Sequence, residues 1–232
     1  MQGLFITVEG PDGAGKSTLI QRLEEKLLEE LTVPLIRTRE PGGSEIAEKI
    51  RGVILDPKNT AMDDRTEALL YAASRRQHIM EKIKPSLAEG KVVLCDRFVD
   101  SSIAYQGAGR GIGVEEVATL NRFATEDLTP DITLYLDVDA QVGLNRIASK
   151  DSNREKDRLE LEAISFHNRV REAYQVLLEK HPKRIQLIDA SQNADDVFID
   201  AWKVLQDKIQ EMQWLIGGDS NEISFSDRSR RG

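Results

Sequence analysis

Short apolar runs alternate with amphipathic stretches along this chain, and that alternation predicts its elements. The runs lie at residues 4–8, 33–37, 92–95, 132–137 and 184–188. Each is too short for a buried helix and reads as a buried strand. Between them, apolar residues recur with helical spacing at 18–27, 63–83, 140–147, 160–178 and 195–214. In the second of these, Leu69, Leu70, Ala73 and Ile79 are expected on the buried face. In the fourth, Phe166, Val170 and Tyr174 form the apolar stripe. Strands alternating with helices predict an α/β fold: a five-stranded parallel sheet covered by helices on both faces. Functional groups of such a sheet gather at the carboxyl ends of its strands.

The end of the first strand carries the strongest signal. Residues Gly10, Pro11, Asp12, Gly13, Ala14, Gly15, Lys16, Ser17 and Thr18 follow an apolar strand and open a helix. This G-x-x-x-x-G-K-S pattern, in that context, reads as a phosphate-binding loop. Its glycines let successive backbone N–H groups turn into one concavity, and the helix N-terminus adds positive charge. Lys16 is expected to reach the β- and γ-phosphates, and the Ser17 hydroxyl to help hold Mg²⁺.

Other strand ends add candidates. Asp96 and Arg97 follow the third strand; a strand-end Asp can hold hydrated Mg²⁺, and an Arg can clamp a phosphate bidentately. Arg39 and Glu40 follow the second, where a ligand role and a plain salt bridge are both open. Ser44 could cap the next helix. Tyr71 and Arg75 are spaced i, i+4, so a ring and a guanidinium project together, for a base or simply as a packed pair. The small polar stretch 101–111 includes Ser102, Tyr105 and Gln106, and an amide suits a base edge. Asp137 and Asp139 are expected to cap the helix starting near Ala140. Residues 149–158 lack any apolar side chain. They read as a solvated connection or as a lid, with Arg146, Arg154 and Arg158 available to phosphates. His167 is expected at a surface or interface, and Cys95 as a core thiol.

Composition narrows the classes. The chain has 232 residues, 40% hydrophobic and 31% charged, with a net charge of -8. An acidic balance argues against nucleic acid as a partner. One cysteine leaves no internal disulfide framework and fits a reducing compartment. No apolar stretch is long enough to cross a bilayer, and no signal peptide precedes the first strand, so a cytoplasmic protein without membrane contact is expected. One domain is expected over 1–214, its lid at about 149–158, with a disordered tail over 215–232. Against a GTPase switch, no Asn/Thr-Lys-x-Asp motif is present.

Together these motifs resemble the thymidylate kinase family across roughly residues 3–212. The matching parts are the loop with Asp12, residues 39–43, the Tyr71 and Arg75 helix, residues 96–98 and residues 105–110. The resemblance implies a P-loop NTPase-type fold with a mobile lid, and a homodimer. It implies transfer of the γ-phosphoryl of ATP to dTMP, with Mg²⁺, giving dTDP and ADP. Carried over, residues 10–18 and Arg146 would serve ATP, and Ser17 and Asp96 the metal. Asp12 would accept from the deoxyribose 3′-hydroxyl, Tyr71 would stack on thymine, and Arg75 and Gln106 would bond its edge. Arg39, Glu40, Ser102 and Tyr105 would complete the acceptor site. Lys16, Arg97 and a lid arginine would be catalytic. One branch of the family has an arginine where this chain has Gly13; the other has it in the lid, the pattern Arg154 fits.

Overall fold

The computed structural model describes residues 3–150 and 158–214. The elements run β1 (Leu4–Glu9), α1 (Lys16–Glu30), β2 (Leu35–Arg39), α2 (Glu45–Leu55) and α3 (Asp64–His78). A π turn, Ile79–Ile83, leads into α4 (Lys84–Ala88), then β3 (Val92–Asp96) and α5 (Val99–Ser102). A second π turn, Ile103–Gly109, leads to α6 (Val114–Thr125), β4 (Ile132–Asp137) and α7 (Ala140–Lys150). The remaining elements are α8 (Ile164–Lys180), β5 (Ile185–Asp189) and α9 (Ala194–Glu211).

Among the described residues, five parallel strands pair in the order β2-β3-β1-β4-β5. Alternation along β1 divides the core. Leu4, Ile6 and Val8 face the apolar sides of α1 and α9, through residues such as Leu23, Leu27, Leu205 and Ile209. Phe5 faces the other way, with Val93, Cys95, Phe98 and Ile79. Helices therefore cover both faces, as parallel strands require. The register sets Val8 beside Asp96 and Asp96 beside Arg39, so three strand ends meet at one edge. Among the described residues, no helix is long and apolar enough to cross a membrane.

Several expectations need correction. Strand β2 lies two residues later than the hydrophobic run indicated. Pro34 has no N–H to donate and only accepts from Val92, while Thr38 and Arg39 continue the pairing. Helix α8 starts at Ile164, not near 160. The inward face of α3 is mixed: Ile79, just past its end, is buried and Leu70 partly buried as expected, but Glu67, Ser74, Arg75 and His78 are buried too, while Leu69 and Ala73 are exposed. Partners from other elements permit this burial, for Arg75 bonds Glu40 and Asn121 and Glu67 bonds Gln106. Ser44 occupies the N-cap of α2 without a side-chain cap bond. Asp139 caps α7, but Asp137 pairs with Arg171 of α8. His167 is buried, edge-on to Phe166, because it shares the inward face with Val170 and Tyr174.

Candidate active site

A cleft of about 920 Å³ opens where the strands end. Its walls include Asp12 to Leu19 of the phosphate loop, Arg39 and Glu40, Tyr71 and Arg75, Asp96 and Arg97, Tyr105 and Gln106, and Arg146. The phosphate loop passes from β1 to α1, with Gly13 and Gly15 both at positive φ. Lys16 folds back on this loop, its Nζ donating to the carbonyls of Gly10 at 3.0 Å and Pro11 at 2.8 Å. Burial and the neighbouring Arg97 charge push the Lys16 ammonium down to about 8, against the opposing pull of Asp12, Asp96 and Glu9. Ser17 and Thr18 are exposed at the start of α1 and line the cleft.

Arg97 arrives from β3 with φ at 66°. A side chain in this left-handed region costs about 1–3 kcal/mol, which the surroundings must offset. Its N–H donates to Val8, and the next N–H, of Phe98, donates to Glu9 at 2.6 Å. The guanidinium then donates to Asp12 at 2.6 Å, to the Tyr105 hydroxyl at 3.1 Å and to the Gly10 carbonyl at 2.9 Å. Burial alone would raise the Asp12 carboxyl, but Arg97, Lys16 and Tyr105 hold it below its ordinary value. Lys16, at the start of α1, and Arg97, just past the end of β3, thus converge on one carbonyl oxygen. Both cations also line the cleft, and positive charge gathered there suits an anion.

Behind this pair lies a fully buried carboxylate, Glu9. It accepts from the Ser101 hydroxyl at 2.5 Å and the Tyr174 hydroxyl at 2.7 Å, besides Phe98 N–H. Burial first, then Asp100, pushes its carboxyl up to about 7, with Arg97 and the two hydroxyls opposing.

The side of the cleft next to α3 is held by two buried carboxylates. Glu40 pairs with Arg75 Nε at 2.6 Å and with His78 at 3.0 Å. Arg75 also donates to Ser102, Asn121 and the Phe98 carbonyl, so Arg75 is rigid and only 2% exposed. Glu67 accepts from Gln106, Arg110 and Arg158. Tyr71, Tyr105 and Gln106 line the space between these groups.

Not every expected residue reaches the cleft wall. Ser102 stands behind Arg75 and supports it; Gly10 and Pro11 offer carbonyls to Lys16. Arg39 lines the cleft but pairs with Glu48, 3.0 Å to each carboxylate oxygen, and is half exposed. Arg146 lines the cleft while donating to the Ala190 carbonyl at 2.8 Å. Arg158 is buried on Glu67 and the Ile54 carbonyl, contrary to the solvated placement expected for 149–158. Arg154 lies outside the described residues. Sequence reasoning passed over Glu9, Glu67 and Asn121, and took Ser101 only as part of a polar stretch and Tyr174 only as part of an apolar stripe. Of these only Glu9 carried a local sign, a carboxylate closing an apolar strand directly before the phosphate loop.

One carboxylate oxygen at the strand ends is left open. Asp96 Oδ1 is buried with no hydrogen-bond partner among the described residues. Among those residues no trio of His, Cys, Asp or Glu gathers to make a closed cage. That donor set suits an ion such as Mg²⁺, which keeps several waters and takes phosphate oxygens.

Comparison with known proteins points one way. The thymidylate kinase family model matches residues 8–200. A thymidylate kinase of Bacillus velezensis is 54% identical over 213 residues, 92% of this chain and 100% of that one. One of Latilactobacillus sakei is 58% identical over 205 residues, 88% of this chain and 95% of the other. The crystal structure of thymidylate kinase from Ehrlichia chaffeensis superposes with a TM-score of 0.71 at 33% identity, over 89% of this chain and 100% of that one.

Proposed function

The chain belongs to the thymidylate kinase family and phosphorylates dTMP with ATP to give dTDP, and from that premise we propose how its residues divide the work. The reading rests on the convergence of Lys16 and Arg97 on the Gly10 carbonyl, at 3.0 and 2.9 Å. Phosphoryl transfer needs in-line placement of donor and acceptor and cancellation of charge on the moving group. In this reading the two cations, one from the start of α1 and one from the end of β3, would face the donor and acceptor phosphates.

In this reading residues 10–18 cradle the ATP phosphates and Lys16 leaves its loop carbonyls for the β- and γ-oxygens. Arg146 serves the nucleotide side. Arg97 holds the dTMP phosphate, whose oxygen is already anionic at neutral pH, so no strong general base is needed. Asp12, fixed by Arg97 and Tyr105, accepts from the deoxyribose 3′-hydroxyl. Tyr71 stacks on thymine, Arg75 and Gln106 bond its edge, and Arg39, Glu40 and Ser102 complete or brace the acceptor wall. Ser17 and Asp96 would hold Mg²⁺, which would supply positive charge to the phosphates.

Arg154 is the proposed lid catalyst. Arg146 and Arg158, the other candidates, already hold the Ala190 carbonyl and Glu67. The proposal further takes residues 1–214 as one domain with its lid at about 149–158, apart from a tail at 215–232, and ADP as the second product. It places the protein in the cytoplasm, in the supply of dTTP. A homodimer is part of the proposal: α3 packs between α2 and α6, and that layer exposes Ile46, Val53, Leu69 and Phe123. A second copy packed against this layer would cover those side chains.

The test is ADP formation from Mg·ATP with each nucleoside monophosphate in turn, for wild type and for Lys16→Ala and Arg97→Ala. We expect dTMP to be the best acceptor and each variant to lose most turnover while remaining folded. Near-normal turnover in either folded variant would remove that residue from the mechanism.

A further inference from the structure

Glu67 is 0% exposed, at the start of α3, beside the base wall of the cleft. Gln106 Nε2 donates to its Oε1 at 2.9 Å. Arg110 donates to both its oxygens, at 3.3 and 3.1 Å, and Arg158 donates to Oε2. A carboxylate between two guanidinia only accepts hydrogen bonds.

We propose that Glu67 sets the base preference of this kinase by fixing which end of the Gln106 amide is offered to the cleft. The inference rests on the assignment of Gln106 to the base edge made above. The two ends of a glutamine amide have nearly the same shape but opposite hydrogen-bonding roles. An unconstrained Gln106 could turn its oxygen to an N–H or its nitrogen to a lone pair. Glu67 removes that choice by claiming the nitrogen, which leaves Oε1 as the atom available to a ligand. Thymine and uracil carry a donor at N3, which that oxygen can accept. Cytosine carries a lone pair at N3, so two acceptors would face each other in a dry site. Leaving both without a donor is a repulsive element built against cytidine nucleotides. Glu67 acts through Gln106, and is therefore a positioning residue.

Glu67→Gln inverts the arrangement. Its amide oxygen would keep the Oε2 position, where Arg110 Nη2 and Arg158 donate, so its nitrogen would give up the long Arg110 Nε contact and donate to Gln106 Oε1. Gln106 would then present Nε2 to the base. The readout is the ratio of kcat/KM for dTMP over dCMP. A variant that merely disturbs packing or lid closure lowers both acceptors alike and leaves the ratio unchanged. Sites that read a polar group discriminate by factors of up to about 10⁴–10⁵, so loss of one of several contacts should reduce the ratio about tenfold or more. Turnover of dCMP should rise in absolute terms. Gln106→Ala separates the two layers of the argument. If it keeps the wild-type ratio, Gln106 does not read the base and the underlying assignment falls. If it lowers the ratio while Glu67→Gln keeps it, only the role of Glu67 is overturned. Should Glu67→Gln not fold, the wild-type enzyme carries the test through hydrogen exchange of the Gln106 side-chain amide. Slow exchange, with and without dTMP, is expected of an amide held on Glu67. Exchange at the rate of a solvated amide in the unliganded enzyme would overturn the proposal.

Discussion

Glu9 and Arg97 grip the same two hydroxyl groups. Ser101 Oγ donates to Glu9 Oε2 at 2.5 Å and accepts from Arg97 Nη1 at 3.1 Å; Tyr174 OH does the same at 2.7 and 3.4 Å. The carboxylate at the end of β1 thereby braces the guanidinium at the end of β3, across the strand pair that carries the phosphate loop. A carboxyl raised to about 7 by burial binds its proton more tightly folded than unfolded. Its contribution to stability is therefore complete below its unfolded value, near 4.5, and is lost as pH rises through about 7. The melting temperature of wild type minus that of Glu9→Gln should fall between pH 5 and pH 8. A gap that stays constant would mean that Glu9 does not titrate in this range.

Lys16 gives a second pH dependence, of opposite use. With its ammonium held at about 8 in the unliganded protein, ATP binding above that pH must take up a proton to restore the charge. ATP affinity should be level below pH 8 and weaken about tenfold per unit above it. Titration calorimetry at pH 7, 8 and 9 checks this, and Lys16→Ala should abolish the slope. The same variant should lose on the order of 10²–10³ in kcat, the usual cost of removing a donor to a developing charge.

How much of this was legible follows the range of the interactions. The strands, the phosphate loop and the exit of Asp96 and Arg97 from an apolar run are local features, and the fold honours them. The inward face of α3 was misread because its reasons are distant. Arg75 is held by Glu40 and Asn121, 35 and 46 residues away, and Glu67 by Gln106, 39 away. Hydrophobic periodicity sees only the helix itself, so Leu69 and Ala73 looked like core. The bracing role of Glu9 was equally hidden, since Ser101 and Tyr174 lie 92 and 165 residues along.

The arginines of the lid should separate kinetically. If Arg154 acts as proposed, Arg154→Ala should lower kcat more than it raises KM, because a contact made only in the transition state is lost. Arginines supplied this way can be worth on the order of 10³–10⁵ in rate. Arg158→Ala should behave differently: Glu67 stays buried and loses a partner, at about 1–3 kcal/mol of stability. Thermal unfolding and steady-state kinetics on both variants decide the matter. Wild-type kcat for Arg154→Ala would end its assignment.

The exposed apolar layer makes a separate claim. Phe123 is 87% exposed on α6 and Leu69 56% exposed on α3. If that layer is the homodimer interface, Phe123→Glu should shift sedimentation from dimer to monomer. A monomeric wild type would refute the dimer, and a dimeric Phe123→Glu would move the interface elsewhere.

The phosphate loop cannot simply be given the arginine that Gly13 lacks. Gly13 has φ of +77°, and a Cβ there would lie 2.0 Å from the carbonyl oxygen of Gly143 in α7. A Cβ on Gly143 would in turn lie 2.4 Å from the carbonyl oxygen of Asp12. The contacts are backbone on backbone, so neither side can yield by turning a side chain. Gly13→Arg must force the loop away from α7, displacing Asp12 and the helix that carries Arg146. Misplacement of reacting groups by about 1 Å can cost about 10²-fold in rate. Gly13→Arg and Gly143→Ala should each lose activity of that order instead of gaining a catalytic side chain. Gly52→Ala, with nothing within 4 Å of its Cβ and a place inside α2, is the control. It should leave kinetics unchanged and stabilise by about 0.5–1 kcal/mol. An active Gly13→Arg enzyme whose kcat no longer depends on Arg154 would show that the loop can open, and that this close approach does not dictate where the arginine must come from.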